Sequence, residues 1–169
     1  MKQPVFYIVL ASALSLTACN KPSPATATVA PATTNGPAVS TLTDPGAGAL
    51  CDGKNLRISH DNSSQVIDGE CGDVTVTASN GSLNASKARS ITVEGRQFTV
   101  LNEQVDTVRV VGSDNVLNLT NARRIDISGN NNMILVNETA EVSFSGTGNT
   151  VNASSEPRIE DSGTGNRVI

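Results

Sequence analysis

Aromatic side chains make up only 2% of this 169-residue chain, which has no Trp and one His. Aromatic rings form the stacking platforms of single-stranded nucleic-acid sites and line many small-molecule pockets. Basic residues are also few, since 12 Lys and Arg stand against 16 Asp and Glu. A phosphate-binding surface needs clustered basic residues, so the composition argues against nucleic acid as a partner.

Candidate metal ligands and nucleophiles are equally scarce, because the chain has one His and three Cys. The Cys residues form no Cys-x-x-Cys pair, the spacing typical of zinc and redox sites. We therefore expect no metal, no cofactor and no catalytic residue.

The first residues are typical of an export signal. Lys2 precedes an apolar run over residues 5–16, which is too short to cross a bilayer as a helix. The run leads into Leu-Thr-Ala-Cys ending at Cys19, which resembles the lipobox of bacterial lipoproteins. This resemblance implies a signal peptide over residues 1–18 and a lipid on Cys19 that holds the protein to a membrane. An Asp directly after the lipidated Cys resembles an inner-membrane retention signal. This chain has Asn20 there instead, which favours the outer membrane and a periplasmic location in the bacterial cell envelope.

Residues 19–50 have the composition of a linker. Five of the seven prolines lie here, among many Ala and Thr residues. Such a segment buries too little apolar surface to offset its chain entropy. We expect a disordered tether between the lipidated Cys19 and a folded domain over residues 51–169.

Residues 51–169 carry a repeat of 17 residues. Its most regular column is glycine: Gly95, Gly112, Gly129, Gly146 and Gly163. Asn follows three residues after four of these glycines, at Asn115, Asn132, Asn149 and Asn166. Apart from Asp161, apolar residues occupy the positions four and two before each glycine and five after it, with alternation that is typical of strands.

One such unit is too small to fold alone, so the units are expected to stack. Stacking in parallel register places each column on itself. The sequence therefore predicts an all-β protein, a parallel β-solenoid of about seven 17-residue coils whose handedness stays open. An antiparallel β-sandwich is the alternative, but it does not need a fixed period.

The corner residues admit more than one explanation. Glycine suits either a positive φ or a close approach between backbones. Asparagine tolerates the left-handed region and can also hydrogen-bond to the asparagine of the next coil. In one outward column Arg124, Glu141 and Arg158 should alternate in sign, and in another Arg109 should lie beside Asp126, giving opposite charges in register. Asp161 occupies a position expected to be apolar, which predicts a wet or distorted last coil.

Cys51 and Cys71 open the repeat region. Export to an oxidising compartment permits a disulfide between them, and two free thiols are the alternative. Such a bridge would stabilise the first coils by about 3 kcal/mol.

Two features of the sequence could indicate catalysis, namely the polar run around His60 and the β-helix fold itself. His60 lies in a polar run typical of a turn, and adjacent residues of one loop rarely form a triad. Parallel β-helices include carbohydrate-active enzymes, but those resemble larger coils with long loops and clustered acids. We therefore expect a protein that is not an enzyme.

Outward apolar residues on the second strand of each unit offer a candidate partner surface: Leu101, Val116, Met133 and Leu135. A contiguous exposed patch of this kind favours a protein partner in the envelope. The last coil carries no polar capping segment, which favours self-association through an open edge as an alternative.

The lipobox, the Cys pair and the Gly-x-x-Asn-x-apolar coils together resemble the bacterial family known as domain of unknown function 3060. The resemblance extends over residues 51–169 and implies an exported β-solenoid, without any activity. The leading functional hypothesis is a non-enzymatic envelope module for binding or scaffolding.

Overall fold

The computed structural model describes residues 39–169, and all of its regular structure there is β. The signal peptide over residues 1–18, Cys19 and the linker up to residue 38 lie outside the described residues. The strands are β1 Thr41–Thr43, β2 Ala49–Leu50, β3 Asn55–Ile58, β4 Ser64–Val76, β5 Ser82–Val93, β6 Thr99–Val110, β7 Val116–Ile127, β8 Met133–Glu138, β9 Glu141–Phe144, β10 Thr150–Ala153, β11 Arg158–Asp161 and β12 Arg167–Val168.

Every strand pair is parallel, and the coils stack in register. Leu83 faces Val100, which faces Leu117, and each of these steps is 17 residues. The main path runs β1-β3-β4-β5-β6-β7-β8-β10-β12, with β2 beside β4 and with β9 between β7 and β11. This arrangement confirms the predicted β-solenoid, with about eight turns instead of the seven expected.

The core consists of the columns that the period predicted. From Leu56 to Val142, the column that precedes the glycine corner is at most 1% exposed at every coil. Its members are Leu56, Val74, Ile91, Val108, Ile125 and Val142. β-branched residues dominate because they pack well on a pleated surface. Each coil thus contributes a few apolar side chains that are buried only by the coils on either side.

Glycine recurs at one corner because two backbones touch there. A Cβ on Gly112 would lie 1.7 Å from the carbonyl oxygen of Gly95, and one on Gly129 would lie 1.8 Å from that of Gly112. No side chain larger than hydrogen fits at that distance. The positive φ is instead two residues further on, at Asp114 (60°) and Asn131 (55°). Of the two explanations for the glycine column, close approach is therefore the one observed.

The asparagine column forms a buried ladder along the stack. The Asn132 amide nitrogen Nδ2 donates to Gly112 O at 2.9 Å and to Asn149 Oδ1 at 3.0 Å. Asn149 Oδ1 also accepts the Asn132 backbone N–H at 2.9 Å. Asn115 and Asn149 repeat this pattern towards the next coil. The expected asparagine-to-asparagine bond is confirmed, and it satisfies backbone groups that the glycine corner leaves without a strand partner.

Two other residue types end this ladder. Phe98 is fully buried and occupies the column at the lower end, where its backbone N–H donates to Asn115 Oδ1 at 2.9 Å. At the upper end, Asn166 Nδ2 donates to Asp161 Oδ1 at 3.1 Å. Asp161 also accepts the Gly163 N–H at 2.8 Å, and it is exposed. The acidic residue in an apolar column is therefore a hydrogen-bonded cap at the last described coil.

The first coil begins before the predicted domain boundary. Residues 19–50 were expected to be a disordered linker, but Thr41–Thr43 pair with β3 and Ala49–Leu50 pair with β4. Leu42 and Ala49 pack against the core. An end coil is packed against a neighbour on one side only and therefore buries less surface than an inner coil. Residues 41–50, which are rich in Pro, Gly and Ala, are sufficient to cover one end. This segment accounts for the additional coil.

A disulfide joins the first two full coils. Cys51 and Cys71 are bonded and are 0% and 2% exposed. Cys71 is in register with Ala88, the next residue of the small inward column. The predicted bridge is confirmed, and this column of small residues points inward.

Candidate functional site

The four residues of the candidate partner surface lie together on one outward surface. Met133 faces Val116 across the strand pair, and Leu101 and Leu135 flank Asn118 on either side. Leu101, Met133 and Leu135 are 40%, 48% and 38% exposed, whereas Val116 is half-buried. Parallel register therefore assembles an apolar patch from residues that are up to 34 positions apart in sequence.

The patch lies on what we call the second-strand face. This face consists of the outward side chains of five segments in register, residues 82–85, 99–102, 116–119, 133–136 and 150–153. Its residues are Ser82, Asn84, Thr99, Leu101, Val116, Asn118, Met133, Leu135, Thr150 and Asn152. None of them is charged. The surface offers amides, hydroxyls and aliphatic groups.

The first-strand face of the same coils has the opposite character. It consists of the outward side chains of residues 90–93, 107–110, 124–127, 141–144 and 158–161, and six of its ten positions are charged. Arg124 pairs with Asp126 at 3.0 Å and with Glu141 at 3.1 Å. Hydrogen bonds to Asp126 and the charges nearby raise the pKa of Arg124. The predicted register of opposite charges is confirmed, and the charges of the stack are concentrated away from the second-strand face.

A shallow groove of about 430 Å³ crosses the second-strand face at its edge. Leu101, Asn118 and Leu135 line it together with Asn84. Its volume is within the range of small-ligand sites, and its walls are sheet residues held by the strand ladders. A second groove of about 500 Å³ lies over the neighbouring segment, where Asp106, Arg123 and Glu138 give it mixed charge.

Asn102 is a buried polar residue beside the 430 Å³ groove. It is 4% exposed and occupies an inward column that elsewhere holds Ala85 and Leu119. Its Nδ2 donates to Ala85 O at 2.7 Å, whereas its Oδ1 has no partner. A buried acceptor without a donor costs about 1–3 kcal/mol. Sequence reasoning did not single out Asn102, although its polarity in an apolar column was visible in the repeat.

His60 has an acidic neighbour that the sequence did not suggest. His60 Nδ1 lies 3.0 Å from Asp44 Oδ2, and the Ser59 N–H donates to Asp44 Oδ1 at 2.7 Å. Burial raises the pKa of Asp44, but hydrogen bonds from Ser59 and His60 outweigh it and leave the pKa below its usual value. Because Ser59 Oγ bonds the carboxylate and not the imidazole, the three groups form a turn cap and not a nucleophile-base pair.

Residues 39–169 contain neither a metal-binding cluster nor a membrane-spanning helix. Within that range, no cluster of three His, Cys, Asp or Glu side chains is positioned to hold a metal ion. The same range contains no helix of the length and apolarity that crossing a membrane requires.

The fold and its surfaces define a short-coil parallel β-solenoid with one face that is uncharged over five coils, up to Arg167 in register with Thr150, and one ion-paired face. The family model described as Protein of unknown function (DUF3060) matches residues 110–165 of this chain. That part of the solenoid is similar to the family, as the coil pattern implied. It carries the glycine and asparagine ladders except for Gly95 and Asn166. Comparison with curated proteins and with solved structures found no match to this chain.

Proposed function

We propose that this protein is a non-enzymatic binding module of the bacterial cell envelope, anchored by a lipid on Cys19 and bearing its partner site on the second-strand face. The observation that carries the proposal is the apolar patch of Leu101, Met133 and Leu135 on an otherwise uncharged face. Exposed apolar patches bounded by polar residues are typical of interaction sites.

Rigidity favours binding by this face. Each patch residue lies on a strand bonded to coils on both sides, so little conformational entropy is lost when a partner docks. The patch alone is small, and the asparagines and threonines around it would supply the polar rim of a contact surface. In this proposal, the segment between Cys19 and the first described strand links the lipid to the solenoid.

Catalysis is supported less well than binding. The Asp44, Ser59 and His60 group lacks a hydrogen bond between hydroxyl and imidazole, and its carboxylate instead caps a turn. A His60→Ala variant should therefore leave any glycan-cleaving activity of the preparation unchanged. Loss of such activity would contradict this view.

Self-association through the last coil is the alternative function. Ile159 is 52% exposed, although the residues below it in its column are buried. Another coil stacked there would desolvate Asp161 and Glu156, both exposed carboxylates, at considerable cost. A mass for the full chain in detergent that increases with concentration would favour this alternative, whereas a constant monomer mass would count against it.

In-cell photocrosslinking tests the leading proposal. A photoreactive residue at position 133 of the full lipid-anchored chain should give a discrete adduct with a partner. The same probe at Ser145, exposed in the same coil but outside the second-strand face, should not. With the probe at position 116, Met133→Asp should abolish the adduct while the β circular dichroism spectrum persists. Equal adducts from both positions, or none from either, would refute the proposed site.

A further inference from the structure

One outward column of the second-strand face alternates strictly between amide and aliphatic side chains. In order of coils it reads Asn84, Leu101, Asn118, Leu135 and Asn152, and each residue is in register with the next. The parallel column beside it holds Ser82, Thr99, Val116, Met133 and Thr150 and does not alternate. Because adjacent strands are about 4.8 Å apart, the amide recurs every two coils, or about 9.6 Å.

A polymer lying along the stack would meet the same chemistry at that interval. An extended peptide repeats its side-chain direction every two residues, about 6.7 Å, which does not match two coils. Two β-1,4-linked pyranose units in their extended form do repeat over nearly the length of two coils. Alternate sugars of such a chain would face Asn118 and the leucines that flank it.

The chemistry of the face fits an uncharged sugar polymer that carries amides. Leu101 and Leu135 present aliphatic surface to the C–H face of a pyranose ring, and the amide of Asn118 between them can both donate and accept hydrogen bonds. No charged side chain lies on these five coils of the face, and Glu103 is the one charged residue that lines the groove, so a neutral ligand would desolvate few ions. The 430 Å³ groove lies along the same column and is lined by Asn84, Asn118 and Leu135.

Asn102 adds a second observation at the same groove. Its Oδ1 is buried and lacks a donor, although its Nδ2 is bonded. A hydroxyl or amide N–H entering the groove would supply the missing partner after a small side-chain movement. Binding would then relieve a cost that the empty protein carries.

We infer that the second-strand face binds a β-1,4-linked N-acetylhexosamine chain along the solenoid axis, an inference that rests on the proposed binding role of this face. Chitin-type oligomers have this neutral chemistry throughout, whereas the glycan strands of peptidoglycan share the linkage and the amides but carry a lactyl carboxylate on every second sugar when the stem peptides are absent. Without aromatic stacking, we expect a dissociation constant between about 10 µM and 1 mM.

Titration of the full chain in detergent with the β-1,4-linked hexamer of N-acetylglucosamine tests the inference by NMR. The side-chain amide signals of Asn118 and Asn84 should shift, and the dimer should bind much more weakly because it spans one Asn–Leu pair. The α-1,4-linked glucose hexamer should give no saturable shifts. Shifts of equal size with the N-acetylglucosamine and glucose hexamers would overturn the inference, and so would a failure to bind both the N-acetylglucosamine hexamer and peptidoglycan glycan strands at millimolar concentration.

A matched pair of variants locates the contact. Asn118→Leu should weaken binding by about fivefold or more, the value of one lost hydrogen bond. Asn121→Leu, an exposed position in the same coil but outside the face, should change it by less than twofold. Equal effects would overturn the assigned site, provided that both variants keep the β circular dichroism spectrum.

Two further outcomes separate this inference from the proposed function. Peptidoglycan glycan strands without stem peptides form a second arm, and binding of either polymer supports the inference. Binding only of the glycan strands would identify the cell wall as the source. A protein adduct from position 133 without any glycan binding would overturn the inference alone and leave the proposed binding role intact. The absence of both would overturn both.

Discussion

The glycine corner makes a quantitative prediction at Gly129. A Cβ there would lie 1.8 Å from Gly112 O, 2.7 Å from Val111 O and 2.8 Å from the carbonyl carbon of Gly112. All three atoms belong to backbone, so no flexible side chain can move aside. Nonbonded heavy atoms pack at roughly 3.5 Å or more, so the two coils must separate at this corner.

The cost follows from the bonds that cross this corner. Separation stretches Gly129 N–H to Val110 O at 3.0 Å, Ser128 N–H to the same oxygen at 2.9 Å, and Asn132 Nδ2 to Gly112 O at 2.9 Å. At about 1 kcal/mol for each hydrogen bond, Gly129→Ala should lower the free energy of unfolding by about 3 kcal/mol. Packing losses would add to this value.

Urea denaturation of the full chain, followed by circular dichroism, measures the loss. Gly148 provides the matched control, because its φ of 69° demands the left-handed region but its close neighbour is the side chain of Asn131. Asn131 itself adopts that region one coil earlier, so Gly148→Asn should cost less than about 1 kcal/mol. A loss below about 1 kcal/mol for Gly129→Ala, or equal losses for both variants, would refute the close-approach argument.

Three further predictions concern the ladder, the bridge and acid stability. Asn132→Ala should cost about 3 kcal/mol in the same assay, because a buried backbone N–H and carbonyl lose their partners. Replacing Cys51 and Cys71 by Ala should lower the free energy of unfolding by about 3 kcal/mol, and reductant should then have no further effect. Hydrogen bonds from Arg89 lower the pKa of Asp73, so the stability from this pair is present above the unfolded pKa of about 3.9 and is lost as pH falls through the folded value. Asp73→Asn should therefore make the free energy of unfolding slightly less dependent on pH below about pH 4. The effect is small because both side chains of the pair are exposed. A variant with the same pH profile as the original protein would contradict this prediction.

Much of the architecture could be read from the period alone. A 17-residue repeat of alternating residues can bury its apolar columns only if each coil stacks on the last, so parallel register and the inward positions follow. The same alignment brought Cys71 into register with Ala88, whereas the bridge to Cys51 was expected from export to an oxidising compartment. It also placed Met133 beside Val116 on an outward surface.

Contacts that depend on the path of the backbone at the corners could not be read in this way. The sequence left two reasons for each corner glycine, and only the distance from Gly112 to the oxygen of Gly95 decides between them. The prediction of a linker was wrong for residues 41–50 for a similar reason. Their composition is that of a linker, but their strands pair with the second coil, which composition alone does not reveal.

The amino-acid sequence by itself determined the repeat, the direction of stacking and the identity of the buried columns, because side-chain alternation is a local property. Only the tertiary structure decided which atoms meet between coils. Asp161 bonds Asn166, and Asp44 caps the turn at Ser59, because folding brings together groups whose separation in sequence carries no signal. The uncharged face and the buried, unpartnered Oδ1 of Asn102 can be recognised only when the coils are stacked, because a binding surface consists of residues that are neighbours in space.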